Sequence, residues 1–229
     1  MDFPALPERL GQVRDVVNKH QAIAGWTHDV CIVAVTKTHP AASVRAAVAA
    51  GLRDVGENRV QEALEKQEAL RDLSVRWHLI GTLQRNKAKL AAGRFVLIHS
   101  VDREELAAEL ARRLPSGSRQ QILIQVNCSG EPQKGGAEPR ELPALLDAVS
   151  PMAGLDIRGL MTMSALTVDQ AEQRRAFRLL RDLRDAAERA GHRLPELSMG
   201  MSSDYAVAVE EGATMIRLGT VLFGERTTG

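Results

Sequence analysis

The sequence predicts one closed (β/α)8 barrel, of TIM-barrel type, with an additional helix before its first strand. Three observations predict it: short apolar or β-branched runs alternate with helical stretches, eight such runs occur, and 229 residues suit a single parallel barrel. An open, doubly wound sheet is the competing arrangement, but no G-x-G-x-x-G fingerprint follows any run.

Leu6, Leu10, Val13, Val16 and Val17 recur at helical spacing, which predicts an amphipathic helix over residues 4–24, closed near Gly25. The strand-like runs then fall at about 31–36, 52–55, 76–80 and 95–99 in the first half. Those of the second half fall at 122–127, 157–161, 197–199 and 214–218, with a long helical segment over 169–190 between the sixth and seventh. After the eighth run only residues 221–229 remain, too few for a full closing helix, so the N-terminal helix is expected to cover the opening. No Pro/Gly/Ser-rich linker or change of composition interrupts the series, which predicts one domain over residues 1–229.

Composition narrows the function. Thirty basic and 29 acidic residues leave a net charge of +1, and their mixed placement offers no broad field for nucleic acid or anionic lipid. Cys31 and Cys128 form neither a metal-ligand spacing nor a disulfide framework, which suits a reducing cytoplasm. Residues 1–10 carry prolines and charges where a signal peptide has its apolar core, and no run reaches membrane-spanning length. A cytoplasmic protein is expected, and the charged helix surfaces suit a monomer.

In such a barrel the functional residues lie at the C-terminal ends of the strands. Lys37 closes the run 31–36, where a strand leaves the core for a pocket. An ammonium held against apolar surface loses hydration, so its pKa falls and the neutral amine can attack an aldehyde to form a Schiff base; the alternative is a lysine that ends a strand in solvent. Near the last two strand ends, Met199-Gly200-Met201-Ser202-Ser203-Asp204 and Arg217-Leu218-Gly219-Thr220 supply hydroxyls and backbone amides suited to a phosphate. Ser202 or Ser203 is expected to cap the following helix, and Gly219 to let its backbone approach the anion; an ordinary helix cap and turn would look the same. Arg217 alternates with Met215 and Gly219 on one strand face and is expected to point into the barrel mouth. There it could donate to an aromatic ring nitrogen and keep it unprotonated, or pair with a carboxylate such as Glu57. A lysine for an aldehyde, donors for a phosphate and an arginine for a ring nitrogen together describe pyridoxal 5′-phosphate. Asn58 can reach a ring substituent or cap the helix it opens, and His78 and His99 are candidate acid–base groups or hydrogen-bonded structural residues.

The blocks Val35-Thr36-Lys37-Thr38, Gly56-Glu57-Asn58-Arg59-Val60-Gln61-Glu62, His78-Leu79-Ile80-Gly81-Thr82, Leu197-Ser198-Met199-Gly200-Met201-Ser202-Ser203-Asp204 and Ile216-Arg217-Leu218-Gly219-Thr220 carry a resemblance along nearly the whole chain. The sequence resembles the pyridoxal phosphate homeostasis proteins (YggS/PROSC family). That resemblance implies a barrel similar to the N-terminal domain of alanine racemase, with pyridoxal phosphate as a Schiff base on Lys37. It also implies phosphate contacts at Ser202, Ser203, Gly219 and Thr220, the ring nitrogen facing Arg217, and Asn58, His78 and Met163 near the ring. Cys128 stands where such proteins often have Thr, and a loop thiol there could add to the aldehyde.

Two functions compete. A noncatalytic carrier would store the cofactor for homeostasis and deliver it to pyridoxal-phosphate-dependent apoenzymes, whereas a racemase-like enzyme would turn over amino acids. Alanine racemases take a second acid–base tyrosine from an added β domain, which this chain stops short of, and its lone tyrosine, Tyr205, adjoins the phosphate segment. The expectation is therefore a carrier without major catalytic activity.

Overall fold

The computed structural model describes residues 3–225. It opens with α1 (Leu6–Ala24), whose Leu6, Leu10, Val13 and Val17 form one buried stripe, while Val16 beside them is half-buried. The helix stops at Gly25, whose left-handed φ of 76° returns its N–H to the Gln21 carbonyl.

Eight strands follow: β1 (Cys31–Val35), β2 (Asp54–Glu57), β3 (Arg76–Leu79), β4 (Leu97–Val101), β5 (Gln120–Gln125), β6 (Leu155–Met161), β7 (Glu196–Ser198) and β8 (Met215–Leu218). Each pairs in parallel with the next and β8 returns to β1, so the sheet closes into the expected barrel. The connections carry α2 (Ala41–Ala49), α3 (Val60–Ala69), a single turn α4 (Ala88–Ala91), α5 (Glu104–Arg113), α6 (Leu142–Val149), α7 (Gln170–Arg189) and α8 (Tyr205–Glu210). After β8 the chain makes one turn, α9 (Thr220–Phe223). α7 starts where Asp169 accepts the Ala171 N–H at 2.8 Å, within one residue of the helix that periodicity predicts.

Two apolar layers hold this together. Outward-facing strand residues such as Val55, Leu79, Ile98, Ile124, Leu160 and Ile216 pack under the helices, while Leu97, Leu123 and Met161 fill part of the barrel interior with Met163 and Met215 against them. The register Val33↔Arg217 and Gly56↔His78 puts each of these pairs on a common face, the inner one.

Several strands sit slightly away from their apolar runs. β2 covers 54–57 where 52–55 is predicted, and β4 covers 97–101 where 95–99 is predicted. Both shifts take a polar residue into the strand, namely Glu57 in β2 and Ser100 in β4, both fully or almost fully buried. Polar side chains that find partners inside the barrel are invisible to a search for apolar runs.

The opening left by the short α9 is covered by α1, which packs against α8 and α9. Polar bonds pin it there: Trp26 Nε1 donates to the Glu210 carbonyl at 2.9 Å, His20 Nδ1 lies 2.6 Å from Glu210 Oε1, and Arg9 Nη1 donates to the Leu222 carbonyl at 3.3 Å. Full burial of each Leu or Val on the stripe is worth about 1.5–3 kcal/mol. Removal of residues 1–24 is expected to lower the melting temperature and expose apolar surface to dye, and Leu10→Ala alone to cost about 2–5 kcal/mol. An unchanged melting curve for the truncated chain would refute this covering role.

Candidate functional site

A cleft of about 570 Å³ opens at the C-terminal end of the barrel. Of the residues expected to form a site, Lys37, Asn58, Met163, Ser202, Ser203, Arg217, Gly219 and Thr220 all line it. Strand alternation explains Lys37: Val33 faces inward with Arg217, so Val35 and Lys37 follow it onto the same side. Asn58 follows β2 in the same way, and no side chain caps α3, so its cleft position and not a capping role accounts for it.

The backbone on either side of Lys37 is clamped from outside the barrel. The Thr36 hydroxyl donates to Glu57 Oε1 at 2.6 Å, and Lys66 Nζ donates to the Thr36 carbonyl at 2.8 Å, to Glu57 Oε1 at 2.6 Å and to Glu62 Oε1 at 2.9 Å. The same Glu62 oxygen accepts the Thr38 N–H at 2.6 Å. Thr38 has φ 63°, a left-handed conformation that costs a β-branched residue about 1–3 kcal/mol and persists only where surrounding bonds hold it. Burial pushes the Glu57 carboxyl up, against the pull of Lys66 and Thr36. Burial also opposes ionisation of Glu62, but hydrogen bonds from Lys66 and Thr38 outweigh it and hold that carboxyl below its ordinary range. Lys66→Met would leave Glu57 buried without its cation and is expected to destabilise the fold by about 3–5 kcal/mol, measured by denaturant unfolding. A loss under about 1 kcal/mol would show that the clamp contributes no more than a surface ion pair.

At the other side of the cleft the last two strand ends meet. Ser202 Oγ accepts the N–H groups of Gly219 and Val221, each at 3.3 Å. Ser202 therefore tethers the start of α9, and neither it nor Ser203 caps α8, whose N-cap position is Asp204. The reason lies in Asp204: its carboxylate binds the Met201 N–H and the Ser164 hydroxyl, closing the 201–204 turn ahead of α8. Gly200 makes that turn possible, because its φ of 93° and the 2.6 Å separation of an added Cβ from the Ala208 Cβ exclude other residues.

Arg217 is 4% exposed and donates from Nη1 to Ser198 Oγ at 2.6 Å and from Nη2 to the Thr162 carbonyl at 2.9 Å. Burial pulls its pKa down to about 10, with Asp204 opposing, so it stays cationic at neutral pH. The alternative partner, Glu57, faces α3 on the outer side of the sheet and pairs with Lys66.

His78 is a correction. It does not line the cleft; its Nε2 lies 2.8 Å from Asp54 Oδ1 and its Nδ1 lies 3.0 Å from His99 Nε2, inside the barrel. The strand period is the cause: Ile80, two residues on, is the inward residue that reaches the cleft, and His78 sits one layer deeper. Burial, reinforced by the adjacent His78 and the Arg217 charge, holds the His99 ring well below its ordinary value of 6.5. Folded His99 thus remains neutral while the unfolded ring protonates below about pH 6.5, so the unfolded chain binds more protons there. This contribution is fully present above that pH and is lost on acidification by up to about 1.4 kcal/mol per pH unit. Relative to the wild type, His99→Gln is expected to flatten the fall in unfolding free energy between about pH 7 and pH 5. Parallel pH slopes for the two proteins would contradict the assignment.

The cleft also contains His39, Ile80, Met201 and Val221. His39 packs against the rings of Phe3 and Phe223, with centroids 5.9 and 5.4 Å away. Its signal in the sequence is only its place two residues after Lys37. Cys128 lies apart, in a small recess with Ser129, Glu172 and Arg175, and burial pushes its thiol up to about 12, so it holds no reactive thiolate beside the cleft. Tyr205 is not among the lining residues either. Among the described residues no group of three His, Cys, Asp or Glu side chains is placed to hold a metal ion, and no helix is long and apolar enough to cross a membrane.

Comparison with known proteins agrees with this architecture. A family model described as alanine racemase, N-terminal domain, matches residues 10–227. The chain is 45% identical over 222 residues to the pyridoxal phosphate homeostasis protein of Aquifex aeolicus (strain VF5), covering 96% of this chain and 97% of the relative. It is 48% identical over 201 residues to that of Pseudomonas aeruginosa, covering 87% and 86%. PipY of Synechococcus elongatus PCC7942 superposes with a TM-score of 0.87 without PLP, at 43% identity over 96% of this chain and 100% of its own. The PLP-bound PipY structure gives 0.85 at 42% identity over the same shares. Alanine racemase of Clostridium difficile 630, at 14% identity, shares the fold, with a TM-score of 0.75 over 93% of this chain and 60% of its own.

Proposed function

The chain belongs to the pyridoxal phosphate homeostasis protein family, within the alanine racemase N-terminal domain fold, and from that premise we propose that it holds pyridoxal 5′-phosphate as a Schiff base on Lys37 and keeps it available to other proteins. The observation that carries this reading is the gathering, in one cleft, of the Lys37 amine, the cationic Arg217 and the small residues Ser202, Ser203, Gly219 and Thr220. Those groups match an aldehyde, a ring nitrogen and a phosphate. Lys37 supplies the nucleophile, Arg217 a permanent donor that disfavours a second positive charge on the ring, and Ser202, Ser203, Gly219 and Thr220 neutral donors to the anion. Asn58 and Met163 complete the walls around the ring. The cofactor, when bound, supplies a carbonyl that exchanges reversibly between amines.

We assign the protein a carrier role, as a cytoplasmic monomer passing cofactor to apoenzymes. The relatives carry homeostasis names and not enzyme names, and the titratable side chains lining the cleft are Lys37, His39 and Arg217. A racemase needs an acid–base group on each side of the reacting carbon, and Tyr205 lies outside the cleft. The second reading, a racemase-like enzyme of low activity, has one observation in its favour: His39 stands in the same cleft as Lys37.

Protein soaked in pyridoxal phosphate is expected to turn yellow, and borohydride to fix a mass increment on the peptide containing Lys37. Lys37→Ala should lose both signals. A colourless wild type at saturating cofactor would overturn the binding reading. Carrier and enzyme separate on amino-acid enantiomers and on transfer: the carrier delivers cofactor to an apoenzyme with negligible racemisation, while rapid turnover abolished by His39→Gln would establish the enzyme.

A further inference from the structure

We propose that Asp54, His78, His99 and Ser198 form a one-way hydrogen-bond relay through the barrel interior that positions Arg217 as a donor to the cleft. The chain of contacts is continuous. Arg217 Nη1 lies 2.6 Å from Ser198 Oγ, Ser198 Oγ lies 2.9 Å from His99 Nδ1, His99 Nε2 lies 3.0 Å from His78 Nδ1, and His78 Nε2 lies 2.8 Å from Asp54 Oδ1. Ser198 and His99 are completely buried, and His78 and Arg217 are nearly so.

Donor accounting fixes the direction. A guanidinium can only donate, so Ser198 Oγ accepts from Arg217 and its own proton points to His99 Nδ1, which must be bare. His99 is held neutral, so its single N–H is on Nε2 and points to His78 Nδ1. His78 then carries its proton on Nε2 and donates it to Asp54. Burial disfavours the Asp54 charge, but bonds from His78 and Arg76 more than offset this and keep the carboxyl below its ordinary range, so the chain ends on an anion. Running the chain the other way would need a doubly protonated His78 between Asp54 and His99 and would leave Ser198 receiving two donors with its own proton unplaced.

Barrel interiors are ordinarily filled by branched apolar residues, and buried polar groups are tolerated only when every member has its partner. Here the polar column begins at Arg217 in the cleft and ends beside a second cavity of about 500 Å³, lined by Arg76, His78, Arg119, Gln121, Arg158 and Glu196 among others. Asp54 at the first residue of β2 is thus a remote positioning residue for the guanidinium. Because hydrogen bonds in such a chain polarise one another, a change at one end is felt at the other.

Ligand-free protein labelled with nitrogen-15 at histidine tests the relay directly: both His78 and His99 are expected as Nε2–H tautomers with slowly exchanging ring protons. An Nδ1–H tautomer at either ring would overturn it. Coupling to the cleft rests on the reading of Arg217 as the ring nitrogen's partner and is tested on loaded protein by the rate of pyridoxal phosphate release. Ser198→Ala and Asp54→Ala are each expected to speed release about fivefold, the factor set by one typical hydrogen bond. Ser198→Thr, which keeps the hydroxyl, is expected to restore the slow rate. The double variant Ser198→Ala/Asp54→Ala should release no faster than Ser198→Ala, since one break already severs the column. Multiplying effects, or no effect of Asp54→Ala, would sink the coupling. Should wild type take up no pyridoxal phosphate, the Lys37 reading falls while the ring-proton measurement still decides the relay.

Discussion

The alternation of side chains in a closed parallel sheet is the constraint on which the rest of the structure depends. Once β8 pairs with β1 in the register Val33↔Arg217, every second residue of every strand is committed to the interior or to the helix layer. Lys37 reaches the cleft because it shares parity with Val33 and Val35, and Thr36 and Thr38 on either side take the opposite face, where Glu57, Glu62 and Lys66 receive them. A one-residue slip of β1 against its neighbours would exchange these roles and place threonines in the cleft and the lysine among the helices.

Much of this was legible in the sequence. Eight apolar runs, the amphipathic first helix and the absence of a dinucleotide fingerprint were enough to indicate the barrel, and strand-end polarity indicated seven of the cleft residues, with Met163 added by the family resemblance. What escaped had physical causes. His78 and Ile80 have the same parity and differ only in depth, and depth depends on strand tilt and stagger, which a linear pattern does not encode. Ser202 was readable as a cap, but the helix it serves is α9 and not α8, because its partners Gly219 and Val221 are distant in sequence and come close only when β7 and β8 pair. The Lys66 clamp was equally hidden, since a lysine inside α3 looks like part of a solvated face until Glu57 is known to be buried beneath it.

Two buried polar systems therefore flank the cleft, and they are built differently. The clamp under Lys37 concentrates charge, with one ammonium serving two carboxylates and a carbonyl, and it leaves Glu57 Oε2 without a hydrogen-bond partner among the described residues. Such an arrangement is weak evidence for stability but a strong restraint on geometry, because each bond fixes the orientation of the next. The column behind Arg217 keeps the His99 imidazole neutral by burial, and it joins a cation at one end to a carboxylate at the other. Position at Lys37 is thus maintained by electrostatics close to the backbone, and at Arg217 by a chain of shared protons.

On the proposed reading, this division has a consequence for how firmly a cofactor is held. The anion end of the cleft offers hydroxyls and amides without a lysine, and hydrogen bonds from such neutral donors to a charged acceptor contribute about 1.5–3 kcal/mol each after the exchange with water is counted. The rest of the hold comes from Arg217 and from the bond to Lys37, which forms and breaks by amine exchange and not by simple dissociation. An incoming amine that displaces Lys37 therefore removes the covalent restraint in one step, and release is then set by hydrogen bonds alone.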